Sequence, residues 1–199
     1  GGDGHGAVAF TFKHILSKVK FSFVNGYNAS AATIRVRDIK ITNAYKTGEA
    51  TLAVDDANTT GVDESVAWTA SEDKTNQTNI SFGNATDDES TAAKEESVDV
   101  AYAYNKTYES YSERLLIPGD KTWKISFLVD LLVSGEVIRT YEHTATAEIE
   151  LKPGASYDIA ATITAANIDP NNEQEPIEFT AIMTDWSTAN NETAEVVTK

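Results

Sequence analysis

The chain has 199 residues, enough for one large domain or two small ones, with a core that needs no disulfides. Its 16 Lys and Arg stand against 31 Asp and Glu; the resulting charge of −15 excludes nucleic-acid binding by phosphate neutralisation and opposes adsorption to anionic lipid. With no cysteine, disulfides, thiolate nucleophiles and Cys-ligated metal centres are excluded, and no apolar run approaches the roughly 20 residues of a membrane-spanning helix.

Residues 1–7 open with GGDGHG, a flexible start without a signal peptide, so the chain reads as a mature or trimmed form. A first strand follows, in which Val8, Phe10, Phe12 and His14 alternate with Ala9, Thr11 and Lys13. In a second, Val19, Phe21 and Phe23 alternate with Lys18, Lys20 and Ser22. A third runs over residues 33–42; its inward set begins Ile34, Val36 and resumes Ile39, Ile41, and the slip of phase near Asp38 predicts a β-bulge.

The charge then changes sign. Residues 1–48 carry a net +5, residues 49–113 a net −12 and residues 114–199 a net −8. Residues 54–97 are rich in Thr, Asn, Ser and Asp and poor in large apolar side chains. They read as an acidic insertion of surface loops with a few short strands, because little apolar area is available to offset the ordering entropy. Further strands are expected over 97–104, 114–117, 123–133, 136–151, 157–164 and 176–186. Pro118-Gly119-Asp120 and Lys152-Pro153-Gly154 read as tight turns, Ser134-Gly135-Glu136 as a hairpin turn and residues 169–172 as a longer loop. Nine or ten short strands in one frame imply an all-β fold, an antiparallel Greek-key β-sandwich over residues 8–186.

The catalytic inventory is thin. His5 lies in the Gly-rich start, His14 ends a strand on its apolar side and His143 sits in an alternating strand, facing solvent; no two have metal-ligand spacing. The acidic pairs Asp55/Asp56, Asp87/Asp88 and Glu95/Glu96 fall in polar loops where nothing raises a pKa, so they read as solvated charge and not as a glycosidase pair. The run from Asp56 to Gly61 begins like a calcium loop, but its twelfth position is Ala67 and no helices flank it. No cofactor or metal site and no enzymatic activity is expected. Seven Asn-X-Ser/Thr triplets, beginning at Asn28, Asn58, Asn76, Asn79, Asn84, Asn105 and Asn191, mark exposed segments. Tyr102, Tyr104, Tyr108 and Tyr111 form the best aromatic cluster. It reads either as sheet packing or as a platform for stacking sugar rings. Trp123 and Trp186 belong to alternating strands and are expected in the core.

The ordered segments also carry a family resemblance. Residues 10–21, FTFKHILSKVKF, resemble the FxHxLSKVxF signature of fimbrillin-like proteins, the pilus subunits and surface lipoproteins of anaerobic Gram-negative bacteria. IRVRDIKITN (34–43) is similar to the next family strand, RLLIPG (114–119) to its mLIPQ segment, LKPGASY (151–157) to its W.pGk.Y turn, with Leu151 where Trp is common, and IMTDW (182–186) to its closing v.dW. The resemblance spans about Val8 to Trp186. It implies a transthyretin-like sandwich of about seven core strands, lengthened by insertions. It also implies export, lipidation and display at the cell surface, in an outer membrane or fimbrium, with the lipid anchor absent from this chain. In the family a smaller N-terminal sandwich half usually precedes the signature, so the resemblance implies that the 199 residues are a fragment, a processed form or a short member.

The implied function is a structural or adhesive surface subunit that assembles with other pilus subunits, or with itself, by strand exchange or edge docking. The tail, residues 187–199, holds a candidate donor strand at Ala194, Glu195, Val196, Val197 and Thr198. The alternative is a surface β-sandwich that binds host or microbial glycans, with the tyrosine cluster as its site; host or microbial proteins are further expected ligands.

Overall fold

Period-two alternation sets the strands. In β1 (Ser17–Asn25) Val19, Phe21 and Phe23 expose no surface, while Lys18 and Lys20 stand on the other face. The computed structural model describes residues 14–27, 32–52, 66–82, 107–109, 113–168, 175–186, 191–194 and 197–198. The expected strands over 8–13 and 97–104, the three acidic pairs Asp55/Asp56, Asp87/Asp88 and Glu95/Glu96, and the 169–172 loop lie outside these residues.

β2 (Ala32–Tyr45) buries Ile34 and Val36, then Ile39 and Ile41. Between the two sets its register against β8 (Gly119–Val133) shifts between Arg37 and Lys40, and Asp38 takes φ 54°. One extra residue therefore turns the apolar set back to the core, where the phase slip of the sequence put it. β8 continues into β9 (Glu136–Leu151) through Ser134 and Gly135, both at positive φ (53° and 84°), the two-residue turn that matches strand twist.

The remaining strands are β3 (Glu49–Leu52), β4 (Val66–Thr69), β5 (Gln77–Phe82), β6 (Thr107–Glu109), β7 (Arg114–Leu116), β10 (Ala155–Ile163), β11 (Phe179–Asp185), β12 (Asn191–Ala194) and β13 (Val197–Thr198). One sheet has the order β12-β11-β10-β1-β6, with β7 also on β1; the other has the order β13-β9-β8-β2-β5; β3 and β4 form a separate hairpin. Every pair is antiparallel except β1 and β10, which run parallel from Lys18↔Ser156 to Asn25↔Ile163. A parallel pair needs a crossover, and here the connection between β1 and β10 contains four strands of the second sheet, β2, β5, β8 and β9, as well as β6 and β7 of the first.

The two sheets meet through aromatic rings. Phe23 of one lies 5.4 Å from Phe127 of the other, Phe21 meets Phe82 edge-on at 4.7 Å, and Phe179 packs edge-on against Phe127 at 5.8 Å. Trp123, 1% exposed, donates its ring N–H to Ile149 O at 2.9 Å, so its one polar atom is satisfied inside the core.

Two expectations are corrected. Gly119 and Asp120 do not form a tight turn but begin β8; a Cβ on Gly119 would lie 2.8 Å from the Tyr45 ring, so the glycine admits that ring instead of bending the chain. The acidic stretch 54–97 is not all insertion. Its residues 77–82 form β5, the edge strand of the second sheet, because Phe82 is an apolar anchor that reaches Phe21.

Candidate docking surface

The chain's C-terminal tail and the edges of the two sheets come together on one margin. There the outermost long strands are β11 and β9. β12 pairs with β11 over four residues, from Ala181↔Ala194 to Thr184↔Asn191, and β13 pairs Val197 with Glu148 and Thr198 with Ala147 on β9. The tail thus passes from one sheet to the other. Of the expected donor strand, Ala194 ends β12 and Val197 and Thr198 form β13; Glu195 and Val196 lie outside the described residues. Beyond those two rungs, β9 is the outermost strand of its sheet among the described residues, and its start carries exposed Val137 and Ile138 (44% and 59%).

The opposite margin is framed by β5 and β7. The Arg114 Nε donates to Ser81 O at 2.8 Å across it. Beside this link opens a cleft of about 320 Å³ lined by Leu16, Ile80, Leu115, Ile117, Thr78 and Tyr45. Leu115 at its rim is 52% exposed.

The tyrosine cluster is not assembled by the described residues. The backbone of Tyr108 lies in β6 opposite Phe23, and Tyr102, Tyr104 and Tyr111 lie outside them.

Among the described residues, Asp130, Lys121 and His143 are charged or titratable side chains buried in the frame. Asp130 exposes nothing and accepts from Arg35, Arg37 and Thr140 on the outer face of the second sheet. Burial alone would raise its pKa, but the hydrogen bonds from Arg37, Thr140 and Arg35 outweigh it and hold the carboxyl below its ordinary 3.8. Lys121 points inward and donates to Asn43 O at 2.7 Å, with its Nζ 3.8 Å from the centre of the Tyr45 ring and 3.8 Å from Glu72 Oε2. The Tyr45 hydroxyl donates to the other Glu72 oxygen. Burial lowers the Lys121 pKa, and Glu72 opposes the shift.

His143 does not face solvent. It is 6% exposed and stacks on Phe127 at 5.4 Å, because the inward set of β9 runs Tyr141, His143, Ala147, Ile149, Leu151. Its Nε2 has no hydrogen-bond partner, and burial lowers its pKa. Among the described residues no three His, Cys, Asp or Glu come close enough to hold a metal.

Sequence reasoning missed Asp130 and its two arginines. The signal was present: one acid inside the apolar run FLVDLLV, and Arg-Val-Arg in β2. It missed the edges because strand order is not written in alternation.

The residues that carried the resemblance meet at one pole. Gly154, at φ 71°, donates its N–H to Leu16 O at 3.0 Å and accepts from the Trp186 N–H at 3.1 Å. The Ser17 hydroxyl donates to Lys152 O at 2.8 Å, the Tyr157 hydroxyl donates to Glu150 O and accepts from Lys152 N–H, and His14 stacks on Trp186. Burial pushes the Tyr157 pKa up to about 12. Trp186 is half-buried against His14, short of the core position expected for it, and His14 itself is exposed.

This frame of two facing sheets defines a β-sandwich. The fimbrillin-like family model matches residues 3–186, and the chain belongs to that family. Membership supports a pilus or adhesion subunit with a cell-surface or fimbrial location. A search of curated proteins finds no match. Three crystal structures, each named a "putative cell adhesion protein", are similar. That from Bacteroides ovatus ATCC 8483 is 13% identical at TM-score 0.38, covering 88% of this chain and 47% of the other. For Bacteroides uniformis ATCC 8492 the values are 14%, 0.39, 90% and 54%, and for Bacteroides eggerthii DSM 20697 they are 12%, 0.41, 87% and 56%. The chain spans about half the length of these proteins.

Proposed function

We propose that the chain is a non-enzymatic surface subunit of fimbrillin type, exported and held at the outer membrane or in a fimbrium. It assembles by strand exchange, residues 194–198 of one copy adding to a sheet edge of the next. The observation that supports this is the placement of the tail: two short strands, four and two residues long, lie on the outermost strands of both sheets. Backbone hydrogen bonds make such pairing transferable to an identical edge on another copy, with alternate side chains giving selectivity. So few rungs cost little to release.

The absence of native cysteine allows a direct test. Ile182 and Thr193 face each other across β11 and β12. One copy carrying Ile182→Cys is mixed with another carrying Thr193→Cys, and the mixture is oxidised. Disulfide-linked dimers are expected, in a yield that rises with concentration and falls when an excess of cysteine-free wild-type chain competes for the edge; monomers alone at every concentration would reject exchange at this edge.

A further inference from the structure

The N-terminal stretch and the C-terminal tail are fastened to each other across one turn. The His14 and Trp186 rings lie 3.6 Å apart at 13°, a face-to-face stack. Lys18 Nζ stands 5.5 Å from the same indole. Beneath them, Gly154 bridges both chain segments by backbone bonds, from its N–H to Leu16 O and from Trp186 N–H to its own carbonyl. A third indole holds the entry strand: Trp68 Nε1 donates to Ile15 O at 2.6 Å.

Trp186 is the first residue after β11, and the next described strand, β12, returns onto β11. The register of such a return depends on how the chain leaves the first strand. His14 is three residues before β1, the strand that runs parallel to β10. β1 and β11 flank β10 on opposite sides, so His14 and Trp186 close a gap of two strand spacings, roughly 10 Å, over the start of β10.

We infer that the His14–Trp186 stack is a latch that couples the two ends of the chain: His14 fixes the exit of β11 and thereby the pairing of β12 and β13. Loosening the N-terminal stretch at His14 releases the tail, while the body of the sandwich stays closed. The coupling acts within one copy and holds whether or not tails are exchanged between copies.

Hydrogen–deuterium exchange on the full chain tests it. His14→Ala is expected to speed exchange of the amides of residues 191–194 and 197–198 by roughly two- to tenfold, the range of an aromatic pair, and to leave the centre of the β8–β9 hairpin unchanged. His14→Phe keeps a ring on Trp186 and is expected to restore the wild-type rates. Unchanged tail exchange in His14→Ala overturns the latch. So does equal acceleration in tail and hairpin, the mark of a merely structural contact. Trp186→Tyr supplies a milder lesion should His14→Ala not fold; it too must loosen the tail selectively, or the inference fails.

Discussion

Arg35 and Asp130 stand directly opposite each other on β2 and β8, and the Arg35 Nε and Nη2 donate to one Asp130 oxygen at 3.1 and 2.9 Å. Arg37 reaches both oxygens of the same carboxylate, and Thr140, opposite on β9, donates at 2.7 Å. A single carboxylate with no exposed surface therefore ties three strands together, while both arginines keep 22% of their side chains in water.

Asp130→Ala leaves two guanidinium groups without their shared acceptor. Breaking a fully buried pair costs roughly 3–5 kcal/mol; the partial exposure of the arginines brings the expected loss to about 2–4 kcal/mol in urea unfolding. The folded pKa lies below 3.8, so as pH falls the unfolded chain takes up the proton first. The stabilisation is complete above pH 3.8 and is lost as pH falls through the folded value. The gap between wild type and Asp130→Ala should accordingly close in acid, and a gap that persists there would contradict the assignment.

His143 gives a second pH dependence, at milder acidity. Burial lowers its pKa from 6.5, so the unfolded chain again binds the proton first. Its contribution is complete above pH 6.5 and declines as pH falls from there through the depressed folded value. His143→Phe keeps the stack on Phe127 and removes the titration. Its urea midpoint should stay level where that of the wild type falls.

Lys121 and Glu72 are in contact but differ in weight. Lys121→Met leaves Asn43 O without its donor and is expected to cost about 1–3 kcal/mol. Glu72 has 62% of its side chain exposed, and Glu72→Gln should cost no more than about 1 kcal/mol. Thermal unfolding of the two variants side by side decides this; equal losses would mean that the ion pair, and not the buried carbonyl contact, carries the stability.

Gly154→Ala combines two penalties. The backbone sits at φ 71°, and an added Cβ would lie 3.0 Å from His14 O. The expected loss is about 1–3 kcal/mol, read from the denaturation midpoint. Gly135→Ala, at φ 84° in open space, isolates the backbone part and should cost less.

Much of the frame was readable from residues alone. The alternation of Val19, Phe21 and Phe23, the slip at Asp38, the Ser134-Gly135 turn and the span 136–151 reappear in β1, β2 and the β8–β9 hairpin because each is a local property of period two or of a positive φ. What was not readable is relational. Whether His143 or Glu142 faces inward depends on which side of β9 meets Phe127, and the parallel pairing of β1 with β10 depends on residues far apart in the chain. The same limit applies to the docking surface. The tail could be named from the sequence, but the strands it lies on could not, since neighbours within a sheet follow from packing.

The parallel pair has a consequence for how the molecule is made. Ser17 and its acceptor Lys152 are 135 residues apart, whereas β8 and β9 are joined by two residues. The hairpin can zip as soon as it emerges, but β1 must wait for residues 155–163 before its parallel neighbour exists. The first sheet is thus the last to close, and its phenylalanine-rich strand β1 waits longest for its full set of neighbours, with β6 and β7 available before β10.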